Sequence, residues 1–286
     1  PLYRAALWRW MLRLYNTLDF VTVQSRTAGE ILAGQGLRRP LHLISCGVDL
    51  AEFYVDATVD QQAVRRRFGL HPTARLLLYV GRVDEEKRLD VLIHALARSG
   101  SADCHLAVGG RGAALTALKA LVSQLGLGER VHFLDYVPDE EKRDLLNSAD
   151  IFAMPSDAEL LSIATLEAMA CGRPILAARA QALPELVAEQ VNGRLFRAND
   201  VDDAAAVLTE LVSRPQNWPA MGVASRQRAE SHGWPGVLAG YTHLYEEAIQ
   251  YSFRIVENDP LLPVKKRAEQ ASGSPAHRLS SVIAEE

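Results

Sequence analysis

Only three cysteines occur in 286 residues, and Cys46, Cys104 and Cys171 show no paired metal-ligand spacing. They read as ordinary residues of a reducing compartment. No run of 18 apolar residues is present, so no membrane-spanning helix is expected. Charge of one sign is also scarce. Thirty-one Lys and Arg against 35 Asp and Glu leave a formal net charge of -4. That balance gives no electrostatic basis for a nucleic-acid partner, although a local anion site remains open. The sequence has no P-loop ending in lysine-serine or lysine-threonine, no H-E-x-x-H and no G-x-S-x-G nucleophile elbow. The eight histidines do not cluster, and His94, within a mostly apolar helical pattern, reads as structural.

An apolar content of 48% supports a substantial core, in one large domain or two small ones. The chain opens at Pro1 directly in a helical pattern, which reads as a fragment, a processed start or a trimmed end. Residues 4–14 combine Trp8, Trp10, Met11 and Leu14 with Arg4, Arg9 and Arg13. Such a segment suits either peripheral contact with an anionic membrane or a packing partner outside the chain.

Residues 1–50 form a small α/β remnant. It has a strand at 20–25, a short helix at 27–34 capped by Ser25, and a strand at 41–45 running into Gly47. Residues 51–72 read as a connection with a charged helix near 61–68, closed by Gly69, His71 and Pro72. From 73 to 235 the pattern is regular. Strands are expected at 76–80, 105–108, 131–134, 151–154 and 175–178, with a weaker one at 194–196. Helices are expected at 88–98, 113–125, 139–147, 162–171, 183–189, 201–212 and 219–231. Short apolar strands without polar alternation imply burial on both faces, hence an α/β Rossmann-like doubly wound parallel sheet. Its ligands belong beyond the carboxyl ends of the strands. A last helix follows at 236–254, and 255–286, rich in Pro, Ser and Lys, reads as disordered.

Three constellations fall at those strand ends. Gly81 permits close backbone approach, while Arg82 and Lys87 can converge on a diphosphate; the alternative is a solvated loop paired internally with Asp84, Glu85 and Glu86. Gly109-Gly110-Arg111-Gly112 forms a second glycine-rich turn before a helix, without the full G-x-G-x-x-G pattern. Ser162 is a candidate N-cap for a helix whose apolar face holds Ile163, Leu166 and Ala170. Glu167 is the odd member of that helix, because a carboxylate there needs solvent or a hydrogen-bond donor. Sugar or ribose hydroxyls would serve as donors for Glu159 and Glu167, and solvent or backbone amides are the alternative.

Taken in order, these motifs resemble family 4 of the retaining glycosyltransferases, of the two-domain GT-B architecture, over residues 15–250. The segment 21–25 is similar to a strand and serine late in that family's N-terminal domain. Ile44 to Asp49 resembles its closing segment, with Ser45 and Cys46 in place of the usual proline and asparagine. The resemblance implies a diphosphate clamp at Gly81, Arg82 and Lys87, a second glycine loop at Gly110, and a base-binding turn at Tyr136 and Val137. It also implies the family's glutamate, seven residues, glutamate pattern at Glu159 and Glu167, with Glu159 on the donor sugar and Glu167 on the ribose. Backbone amides around Ser162, Ile163 and Ala164 would face the donor. Residues 1–50 become the remnant of an N-terminal acceptor-side domain that is otherwise missing, and 236–254 the helix that crosses back to it, with Trp234, Tyr241, Leu244 and Tyr245 candidates for orphaned contacts.

The implied activity is transfer of a hexose from a UDP-sugar or GDP-sugar to an unknown acceptor, lipid or polysaccharide, with retention of anomeric configuration and no metal or other cofactor. The implied location is cytoplasmic, at a membrane face if the opening helix binds one. A noncatalytic nucleotide-sugar-binding or assembly module and a GT-B sugar epimerase are the competing expectations.

Overall fold

The computed structural model describes residues 2–258, with side chains described for 5–251. The first part contains helix α1 (Leu2–Tyr15), strand β1 (Val21–Val23), helix α2 (Arg26–Gly34) and strand β2 (Leu41–Leu43), with β1 and β2 paired in parallel. Ser25 caps α2 by accepting from the Ala28 amide at 3.1 Å. Helix α3 (Gln61–Arg67) follows.

The main sheet has six parallel strands: β3 (Arg75–Val80), β4 (Cys104–Gly109), β5 (Val131–Asp135), β6 (Ile151–Met154), β7 (Ile175–Arg179) and β8 (Gly193–Arg197). Their spatial order is β5-β4-β3-β6-β7-β8, so the chain reverses its direction of travel between β3 and β6. The weaker strand expected at 194–196 is a full member, in register with β7 from Ile175–Gly193 to Arg179–Arg197.

Apolar runs become buried strands because helices cover both faces. Leu76, Leu77, Leu78 and Tyr79 of β3 are all buried. The helices are α4 (Leu89–Arg98), α5 (Leu115–Gln124), α6 (Asp139–Ser148), α7 (Ile163–Ala170), α8 (Leu183–Leu186), α9 (Val201–Ser213), α10 (Trp218–Glu230) and α11 (Trp234–Asn258). Packing joins α4 to α9, α7 to α10 and α3 to α6. Right-handed crossovers combined with the reversal of strand order put the two sets of connecting helices on opposite faces. The segment expected as a connection is anchored on the sheet: Phe53 and Leu70 join the core, and buried Arg65 donates to the Ser148 and Ala74 carbonyls at 2.8 Å and pairs with Asp150 at 3.0 Å.

Two expectations are corrected. The helix at 183–189 stops at Leu186, because the Asn192 side chain accepts from the Ala188 amide at 2.7 Å and donates to the Leu186 carbonyl at 3.2 Å. That side chain takes the backbone groups a continuing helix would use. The final helix starts at Trp234, with Pro235 in its first turn, and runs to Asn258, so residues 255–258 are helical rather than disordered. The rest of the expected disordered tail lies outside the described residues.

The first part packs back on the α11 region through the Val48–Gly233 bridge and a 2.8 Å bond between Ser45 Oγ and His232 Nδ1. Gly47, at φ +79, makes the turn that the sequence reserved for it and lies under Trp234. Of the residues expected to have orphaned contacts, Leu244 is buried, Tyr241 half-buried, and Trp234 and Tyr245 exposed. Leu7, Trp10 and Leu14 present an exposed apolar row on α1, although no helix among the described residues is long and apolar enough to cross a membrane.

Near the amino ends of β4 and β5, His105 Nδ1 and His132 Nε2 lie 3.2 Å apart with their rings stacked. Burial lowers the pKa of both below the ordinary 6.5, and neighbouring His71 lowers both further. A histidine with a depressed folded pKa favours the neutral native state, so its contribution is present above 6.5 and is lost as pH falls from 6.5 through the folded value. Urea unfolding at pH 7.5 and pH 5.5 should show lower stability at the acid end, and His132→Gln should flatten that difference.

Candidate functional site

In a parallel sheet every strand ends at the same edge, and here the loops after β3, β4 and β5 are bound to one another. The Gly81 amide donates to the Gly109 carbonyl at 2.9 Å, Val83 to Arg111 at 2.8 Å, and Gly110 to Asp135 at 2.6 Å. A Cβ on Gly110 would lie 1.8 Å from the Gly81 carbonyl oxygen, and Gly110 holds φ +139. The second glycine turn is therefore required first by loop-on-loop packing, before any ligand is considered. Tyr79, buried beneath, donates its hydroxyl to the Arg82 carbonyl at 2.5 Å. Burial pushes its phenol pKa well upward, so it remains a donor that fixes the Arg82 backbone.

Gly81, Arg82, Gly110, Tyr136 and Val137 line one groove of about 310 Å³, together with Arg111, Asp139 and Lys142. Its outer wall is the Arg82 side chain, 68% exposed, which pairs with Asp84 at 2.5 Å and Glu86 at 2.8 Å. Two of the three carboxylates of the internally paired alternative thus hold Arg82 here.

Lys87 closes a short 3-10 turn, Glu85–Lys87, after which Arg88 takes a left-handed φ of 50° and α4 begins. Lys87 Nζ donates to Glu159 Oε1 at 2.5 Å, and both side chains are largely buried. The Glu159 loop is tied to the same turn, because the Ser156 hydroxyl and the Asp157 amide donate to the Glu86 carbonyl at 3.0 and 3.2 Å. Ser162 is the expected N-cap of α7 and accepts from the Thr165 amide at 3.3 Å. Ile163 is exposed and Ala164 half-buried in the first turn, where helix amides are left without intrahelical partners.

Glu167 is only 8% exposed, and Lys142 of α6 rather than a backbone amide donates to it, at 2.9 Å. Burial raises the Glu167 pKa, and the ion pair with Lys142 offsets only part of that rise. For Lys142, burial opposes the charge, but the bonds to Glu167 and Asp139 outweigh it and the net shift is upward.

Five sequence-selected residues therefore share the groove. Glu167 reaches it through Lys142, while Lys87 and Glu159 form a second cluster joined to it by the 84–88 turn. Sequence reasoning missed Tyr79 and Lys142. Tyr79 reads as one more apolar residue of a buried strand. Lys142 sits in the run Asp139-Glu140-Glu141-Lys142, which looks like a solvated helix start. Among the described residues no group of three or more His, Cys, Asp or Glu is arranged to hold a metal ion.

Residues 60–228, more than half of the chain, match the family described as glycosyl transferases group 1. The chain belongs to this family. Within it, the chain is 33% identical over 221 residues to D-inositol 3-phosphate glycosyltransferase 1 of Catenulispora acidiphila, covering 73% of this chain and 52% of that protein. It is 34% identical over 239 residues to the GDP-mannose-dependent alpha-(1-6)-phosphatidylinositol monomannoside mannosyltransferase of Mycolicibacterium smegmatis, covering 80% and 61%. Among solved structures, Anabaena HepE in complex with UDP-glucose superimposes with a TM-score of 0.76 at 22% identity, covering 85% of this chain and 67% of that one. This group 1 chain thus spans about half the length of the curated relatives it matches. Its fold is a Rossmann-like parallel-sheet domain resembling the C-terminal half of a GT-B glycosyltransferase.

Because Glu167 and Lys142 form a buried pair, Glu167→Gln leaves the Lys142 ammonium with only the exposed Asp139 as a charged partner and should lower the melting temperature of this group 1 chain. Thermal melts of the wild type and the variant check this.

Proposed function

We propose that this chain is the donor side of a family 4 glycosyltransferase that moves a hexose from a UDP- or GDP-sugar to an acceptor hydroxyl with retention of anomeric configuration. The observation that carries the reading is the convergence, where strand order reverses, of two interlocked glycine turns with the Arg82 and Lys87 cations and the Glu159 and Glu167 carboxylates. The reversal point is where open α/β sheets bind nucleotides. The nucleotide sugars in the names of the mannosyltransferase relative and the HepE complex support the donor class.

On this reading Arg82 exchanges its exposed carboxylate partners for the donor diphosphate. Exposed ion pairs of that kind are worth only about 0–1 kcal/mol, so the exchange is cheap. Lys87 adds a second charge from the deeper side. As the bond from sugar C1 to the diphosphate oxygen breaks, its electron pair leaves with the nucleoside diphosphate, where both cations stabilise it. The acceptor oxygen forms the new bond to C1 on the same face and passes its proton to the departing phosphate oxygen. Glu159 holds sugar hydroxyls, Glu167 the ribose, the backbone at Tyr136 and Val137 the base, and the open amides of Ile163 and Ala164 face the donor. The acceptor wall, lipid- or polysaccharide-directed, is assigned to an N-terminal domain outside this chain, consistent with the greater length of the relatives.

Arg82→Ala in the full natural gene product should reduce transfer about 10²-fold or more, as loss of a transition-state charge partner does. Unchanged product formation from a radiolabelled donor would remove Arg82 from this role. The 286-residue chain alone should bind nucleotide sugar and form no acceptor product, because positioning needs both walls of the cleft. Acceptor-dependent product from it would refute the division of labour.

A further inference from the structure

Helix α2 begins at Arg26, and its first amides meet a side chain from far along the chain. Glu185, in α8, accepts from the Arg26 amide at 2.9 Å, the Thr27 amide at 2.8 Å and the Thr27 hydroxyl at 2.7 Å. With Ser25 serving the Ala28 amide, the start of α2 is fully capped, two of its donors by a carboxylate from the other unit. An anion at the positive end of a helix, held by charge-assisted bonds, is a favourable arrangement. Burial works against the ionised Glu185, yet the Thr27 and Arg26 bonds outweigh it and its pKa is lowered.

The other end of this connection reaches the donor loop. The Ala182 amide donates to the Glu159 carbonyl at 3.0 Å, and Gln181, at a left-handed φ of 46°, accepts from the Thr27 hydroxyl at 3.4 Å. The backbone that holds the Glu159 loop, Ala182, and the carboxylate that holds α2, Glu185, are the cap and third residue of the same short helix. Among the described residues, the bonds from Arg26 and Thr27 to Glu185 and Gln181 are the only hydrogen bonds joining α2 to the sheet domain.

We propose that Glu185 is a positioning residue for sugar transfer: by clasping the start of α2 it fixes the first part of the chain at a set distance from the Glu159 loop. It touches no reacting atom. The inference rests on the donor-side reading above, because only then does the separation of the two units set the distance between donor and acceptor. A displacement of about 1 Å at a reacting centre is enough to cost about 10²-fold in rate.

The test uses the full natural gene product as wild type, Glu185→Gln, Thr27→Val and the double variant. Donor affinity is read by calorimetry with UDP and GDP, transfer by kcat at saturating donor, and folding by thermal melting. A glutamine at 185 keeps the size but turns a donor toward one of the α2 amides. Glu185→Gln should lower kcat about tenfold or more while leaving the nucleotide Kd within about twofold. Thr27→Val should lower kcat less, and adding it to Glu185→Gln should bring little further loss, as expected for two members of one contact. A kcat within about twofold of wild type, or a loss of nucleotide affinity that matches the loss of kcat, would overturn the positioning role. If Glu185→Gln fails to fold, Thr27→Val, which keeps both backbone bonds, decides between the same outcomes. Wild-type protein that binds neither nucleotide and transfers no sugar would sink the donor-side reading itself, and this inference with it.

Discussion

Because all six strands of the main sheet run in one direction, every strand delivers its following loop to the same edge. The sheet must be apolar on both faces to hold its helices, so polar side chains gather at the strand ends. Crowding there has structural consequences. The loops after β3, β4 and β5 approach so closely that Gly110 and Gly81 leave no room for a side chain between them. Backbone bonds from Gly81, Val83 and Gly110 then lock the loops together. The groove is therefore a rigid property of the fold rather than of one flexible loop.

Charge at this edge is arranged in pairs of graded depth. Arg82 is exposed and shares two carboxylates, Lys87 and Glu159 are largely buried with one another, and Lys142 with Glu167 forms a second buried pair beside the groove. Without a ligand, none of these cations or carboxylates stands alone, which keeps the fold free of uncompensated buried charge. On the proposed reading, a diphosphate with sugar hydroxyls offers each member an alternative partner. On that reading the exposed Arg82 pairs exchange at little cost, and the buried pairs exchange at more.

Much of the sheet was legible in the sequence, for a definite reason. A strand buried on both faces writes an uninterrupted apolar run, and Leu76 to Val80 or Ile151 to Met154 can hardly be anything else between turn signals. Ser25 and Ser162 were legible as caps because capping is local. The short α8 was overextended because its terminator, Asn192, acts from six residues beyond its last helical residue. The same limit governs the site. Lys87 and Glu159 are 72 positions apart, Glu185 and Thr27 are 158 apart, and no local pattern announces either contact. Lys87 and Glu159 could each be nominated from the sequence, whereas Glu185 and Thr27 could not, and the pairing of both is a product of topology.

The central claim is that the edge between β3 and β6 receives the diphosphate of a nucleotide sugar. A crystal structure of the chain grown with UDP-glucose or GDP-mannose tests it most directly. The account predicts phosphate oxygens between Arg82 and Lys87, the ribose against Glu167, and the Arg82 side chain drawn away from Asp84 and Glu86. Nucleotide bound elsewhere on the molecule, with those ion pairs intact, would contradict it.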